Sequence, residues 1–128
     1  MKRMIVGILA ACCSLAVLAE PINGSRRAIC TTEELRDCIA GAECLSGVPA
    51  EYGAPTSVRI DFAGKQVLGE HRKSKIRDIE KKDGQLLLQG REMGYGWTIA
   101  IDGKSGDMTL TLVNREAAFV LFGRCAPP

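Results

Sequence analysis

Aromatic side chains make up only 5% of the 128 residues, and 17 basic against 15 acidic groups leave a formal charge of only +2. A nucleic-acid-binding face needs clustered cations with aromatics to stack on, and a disordered acidic tail needs unbalanced charge, so neither is expected. Histidine occurs once, as His71. A Ser-His-Asp device needs that histidine oriented by a carboxylate and touching a nucleophile. Instead it lies in Glu70-His71-Arg72-Lys73-Ser74-Lys75, beside three cations. No serine sits in a Gly-x-Ser-x-Gly elbow. No Gly-x-x-x-x-Gly-Lys loop is present, and Gly94-Tyr95-Gly96 lacks the strand-and-helix setting of a dinucleotide fingerprint. Asp61, Asp102 and Asp107 fall at strand ends or turns, where aspartate serves its own backbone. The sequence therefore offers no catalytic residue and no cofactor motif, and a small envelope hydrolase using His71 stands only as the rival reading.

Apolar runs are short everywhere except at the start. Met1-Lys2-Arg3 is a small positive cluster, Met4 to Ala19 is apolar apart from Ser14, and Glu20-Pro21 ends the run. This is the layout of a secretory signal peptide, with Val17-Leu18-Ala19 as its cleavage site. Residues 1–19 are expected to leave, and the loss of Lys2 and Arg3 makes the remainder neutral overall. Leu9-Ala10-Ala11-Cys12 also resembles a lipoprotein box, in which Cys12 would be lipidated. Cleavage after Ala19 is preferred, because Cys13 to Ala19 stays apolar where a lipoprotein has a polar tether. Either route exports the chain, to the periplasm or beyond.

Export decides how the cysteines are read. Cys30, Cys38, Cys44 and Cys125 remain, an even number in an oxidising compartment, so two disulfides are expected with three connectivities open. Cys38 with Cys44 and Cys30 with Cys125 is the preferred pairing, although sequence alone does not select it. With no Cys-x-x-Cys and a single histidine, neither a metal site nor a redox pair is expected.

Residues 20–56 read as an irregular, stapled lead-in. Within them Thr31-Thr32-Glu33-Glu34 resembles a capping box and predicts a short helix over residues 32–39, stopped by Gly41. From Ser57 the period becomes two. Val58, Ile60 and Phe62 alternate with polar residues, Ala63-Gly64 turns the chain, and Lys65 to Leu68 follow. Lys75 to Glu80 is only weakly patterned, but Asp83-Gly84 is a favoured hairpin pair leading into Gln85 to Gln89. Trp97, Ile99 and Ile101 are answered by Met108, Leu110 and Leu112 across Gly103-Lys104-Ser105-Gly106. Glu116 to Gly123 is apolar on both faces and should be covered on both sides. The expected fold is mainly β: an antiparallel meander of six to seven short strands over residues 57–128, as a small barrel or curled sheet. With the lead-in, residues 20–128 form one folded unit.

A signal peptide, a cysteine-bearing lead-in, alternating strands and a closing Phe122-Gly123-Arg124-Cys125 resemble a group of small exported cysteine-containing β proteins of proteobacteria. The resemblance implies export and a stapled β fold, and it carries no activity and no site residue.

Two features are candidates for binding. The basic run Arg72, Lys73, Lys75, Arg77, Lys81 and Lys82 suits anionic headgroups, lipopolysaccharide or an acidic protein, unless it merely guards an edge strand. Tyr95, placed between glycines before the clearest strand, is of a type enriched in interfaces, whereas Trp97 is in phase with the core. The chain is thus expected to be a monomeric, non-catalytic binding, inhibitor or envelope accessory protein without a cofactor. Its expected partner is a protein or envelope component, reached in part by peripheral membrane contact. A lipid or small-molecule carrier is the further alternative, against which stands the tendency of short-stranded barrels to fill their own interior.

Overall fold

The computed structural model describes residues 11–15 and 21–128. Most of the expected signal peptide, including its cleavage site, lies outside the described residues. Cys12 and Cys13 are exposed free thiols, and no helix among the described residues is long and apolar enough to cross a membrane.

The described residues form nine strands: β1 (Ala28–Cys38), β2 (Leu45–Gly47), β3 (Ser57–Asp61), β4 (Gln66–Leu68), β5 (Lys73–Lys82), β6 (Gln85–Glu92), β7 (Tyr95–Asp102), β8 (Asp107–Val113) and β9 (Ala118–Ala126). All neighbours are antiparallel, in the order β1-β3-β4-β5-β6-β7-β8-β9, and β9 pairs back onto β1. The result is a closed eight-stranded barrel, with β2 added to the edge of β1 beyond the reach of β3.

Alternation explains most of this. Val58 and Ile60, Leu86 and Leu88, Trp97, Ile99 and Ile101, and Met108 and Leu110 all point inward and are buried. Trp97 faces Leu112, Ile99 faces Leu110 and Ile101 faces Met108, the register that the sequence pattern predicts. Asp83 and Gly84 take left-handed φ values of 51° and 77°, as a tight two-residue hairpin demands.

The lead-in is where the expectations need correction. The predicted helix over residues 32–39 is instead the second half of β1, which pairs with β9 from Ile29↔Ala126 to Cys38↔Ala118. A bulge between Thr32 and Glu34 shifts the phase, so the inward residues Ala28, Cys30, Thr32 and Leu35 do not keep a clean period of two in the sequence. A capping box is worth about 1 kcal/mol, which a full ladder and complete burial of Cys30 and Leu35 outweigh. Thr32 is spent otherwise, its hydroxyl donating to the Pro55 carbonyl at 2.5 Å. The count is therefore nine strands rather than six to seven, because β1 and β2 come from the lead-in and β5 runs ten residues through the weakly patterned segment.

A second correction concerns β9. Phe119 and Leu121 point inward, but the opposite face is not covered: Phe122 is 41% exposed. Cys30 pairs directly with Cys125 across the β1–β9 seam, and Cys38 bonds Cys44 at the far end of β1. Two disulfides are compatible with an oxidising, exported environment. The buried core is drawn from Ile22 to Cys125. Ile22, whose N–H donates to the Gly103 carbonyl at 2.7 Å, belongs to the segment that closes one end of the barrel.

Candidate functional site

The other end is open. There the last residues of β4, β6 and β8 meet the first residues of β5, β7 and β9, and the segment between β2 and β3 folds across the gap. A cavity of about 500 Å³ occupies this mouth. Its floor is Trp97, Ile99 and Leu110, with Val58 and Val67 on the β3–β4 side. Its upper wall is aromatic: the Phe119 ring lies 6.5 Å from Tyr52, edge-on, and 6.4 Å from Tyr95, tilted. Such separations are the preferred range for ring pairs.

Each wall residue has a local reason for its place. Tyr95 is the first inward position of β7, two residues before Trp97. Tyr52 ends the 3-10 helix Pro49–Tyr52 and lies over Gly47 of β2, where a Cβ would come 2.3 Å from the ring. Trp97 fits against β6 because the residue opposite it is Gly90, whose Cβ would lie 2.3 Å from the indole. Its Nε1–H donates to Oγ of Ser74 at 2.8 Å, so the one polar atom of the floor is satisfied.

The rim carries the polar groups. Glu70 accepts hydrogen bonds from the Thr56 hydroxyl and from the Thr56 N–H at 3.3 Å, fastening the β4–β5 turn to the start of β3. These bonds, the hydroxyl's foremost, hold the Glu70 carboxyl below the ordinary glutamate value. His71 and Arg72 follow in the same turn, and Glu92 closes the rim on β6. Ser74 is engaged by Trp97 and donates to the Arg91 carbonyl at 3.3 Å, so it is not presented to His71 as a nucleophile. Among the described residues no group of three or more His, Cys, Asp or Glu side chains is placed to hold a metal ion.

The sequence candidates are therefore distributed in two groups. Tyr95 and Arg72 line the cavity, and Tyr95 is a half-buried strand residue rather than part of a flexible loop. Lys73 and Lys75 lie on the outer wall of β5, exposed, and pair with Leu68 and Gln66 of β4. Tyr52, Phe119, Met93 and Glu70 are site residues that sequence reasoning missed. Phe119 is hidden in a run apolar on both faces, and Tyr52 in a segment without any period. Comparison of the chain with family models, curated proteins and solved structures finds no match.

Proposed function

We propose that this protein is a non-catalytic binding protein of the cell envelope that receives the apolar part of a small amphipathic molecule in the mouth of its barrel. The observation that carries the reading is the cavity itself: about 500 Å³, an apolar floor, three aromatic rings and a few polar groups confined to the rim. Ligand sites are typically clefts of about 300–1,000 Å³ with this division of labour, and barrel mouths are a preferred location. Eight strands enclose just enough room for one small ligand. Gly69 on the wall contributes no side chain to fill this end.

Trp97 is the only tryptophan and forms the floor, so it reports occupancy directly. A brominated medium-chain fatty acid, added below its micelle concentration to the chain from Glu20 onward, should quench Trp97 emission saturably. Ala54→Phe, which narrows the mouth from the segment between β2 and β3, should abolish saturation while leaving the far-ultraviolet spectrum unchanged. Only linear, collisional quenching in both proteins would reject the cavity as a ligand site. Steady turnover of ester, peptide or glycoside substrates, lost in His71→Ala, would instead favour the hydrolase reading.

A further inference from the structure

Beside the mouth, the outer wall of β3 to β6 is cationic. Arg59, Leu68 and Lys73 form one row across β3, β4 and β5, and Asp61, Gln66 and Lys75 form the next. Arg91 projects outward on β6 between the inward Gly90 and Glu92, and Arg72 stands on the turn above. This patch carries five cations against one carboxylate, Asp61, which Arg27 already engages at 3.2 Å. Other ion pairs, such as Arg124–Asp107, lie away from this wall, and among the described residues none involves Arg59, Arg72, Lys73, Lys75 or Arg91. Nor is β5 a free edge of the sheet, because β4 pairs with it from Lys73 to Lys75 and β6 from Ile76 onward.

The hairpin tip next to this wall is equally unusual. Met93 and Gly94 take φ values of 49° and 81°, nearly the geometry of Asp83 and Gly84 at the opposite end of β6. The first position of such a turn favours Asn, Asp or Gly, and a bulky side chain there is strained. At the closed end the rule is kept with Asp83. At the mouth it is broken by a methionine that is 65% exposed and so gains little from packing.

We propose that this wall and Met93 together form a docking surface for an anionic lipid bilayer, with the barrel mouth turned toward the membrane. Cations would meet the headgroups while Met93, flanked by the amphipathic rings of Tyr52 and Tyr95, enters the interface; stable association generally needs two such signals. An acidic protein would match the cations but would give the exposed methionine beside an open apolar cup no role. Docking stands on the wall and the tip alone, whereas uptake of an amphiphile from the bilayer rests on the cavity reading above.

Vesicles of phosphatidylglycerol and phosphatidylcholine, against phosphatidylcholine alone, test it by co-sedimentation of the chain from Glu20 onward. Binding should require phosphatidylglycerol and fall steeply with salt. Each neutralised cation should weaken it about fivefold, so Lys73→Gln, Lys75→Gln and Arg91→Gln combined should cost roughly a hundredfold. Lys104→Gln, in the turn at the closed end, should change nothing. Met93→Asn suits the turn better and should raise the unfolding midpoint while weakening vesicle binding, which a purely structural methionine would not do. Equal binding to neutral vesicles, an unaffected triple variant, or equally tight binding to soluble polyglutamate would overturn the proposal, the last pointing to an acidic protein. Saturable quenching of Trp97 by the soluble fatty acid alongside failed vesicle binding would overturn docking and leave the cavity reading intact.

Discussion

The indole N–H of Trp97 donates a 2.8 Å hydrogen bond to the hydroxyl of Ser74, joining β7 to β5 across the β6 strand that separates them. The bond is possible because β6 offers Gly90 at the crossing point, leaving the ring free to lie flat over the strand. One glycine thereby sets both the position of the floor and the depth of the cavity above it.

Gly90→Ala should therefore act as an overpacking mutation. A Cβ at that position would sit 2.3 Å from the indole and 2.7 Å from the Lys75 carbonyl, so the ring and one strand must shift. The expected cost is about 1 to 3 kcal/mol, read by urea unfolding, together with a changed Trp97 emission maximum and weaker fatty-acid quenching.

Ser74→Ala leaves the backbone alone and removes a hydroxyl that accepts from Trp97 and donates to the Arg91 carbonyl. Trp97 is 5% exposed, so its N–H would be left unsatisfied at a cost of about 1 to 3 kcal/mol. Ser74→Thr, which restores a hydroxyl, should recover most of the loss in the same unfolding assay.

The two disulfides should differ sharply. Cys30–Cys125 closes a separation of 95 residues and Cys38–Cys44 one of 6, for which chain-entropy reasoning gives about 4.7 and about 2 kcal/mol. Paired replacement with alanine should lower the unfolding midpoint far more for the first than for the second. Comparable losses would mean that β9 and β1 hold their seam without the covalent bond.

Acid should weaken two turns in a predictable direction. Asp102 accepts from the backbone N–H groups of Ser105 at 2.9 Å and Lys104 at 2.8 Å, which hold its carboxyl below the ordinary aspartate value. Glu70 is held low by Thr56 in the same way. A carboxyl depressed in the folded state contributes stability that is fully present above its unfolded value and is lost as pH falls through its folded value. Asp102→Asn and Thr56→Val should each lower the unfolding midpoint at neutral pH and converge on the parent protein in strong acid. Thr56→Val should also raise the titration midpoint of Glu70 by nuclear magnetic resonance.

The β7–β8 hairpin was legible in the sequence because nothing interrupts its period: Trp97, Ile99 and Ile101 alternate cleanly, and a glycine-rich turn follows. β1 was not, because the bulge after Thr32 moves Leu35 out of phase and leaves a pattern that imitates a capped helix. Tyr95 could be singled out from its glycine neighbours. Its partners Tyr52 and Phe119 could not, since 43 and 24 residues separate them from it in the chain and only closure of the barrel brings the three rings together.

The sequence by itself determined what depends on near neighbours: the Asp83-Gly84 hairpin, the inward faces of the regular strands and an even set of cysteines between Cys30 and Cys125. Those are local choices of backbone and side chain, and their signals lie within a few residues of one another. Only the tertiary structure decided that β1 is a strand, that the sheet closes on itself, and that one end is filled by Ile22 while the other stays open. These outcomes depend on which side chains from distant strands share one interior, and on whether their volumes fill it.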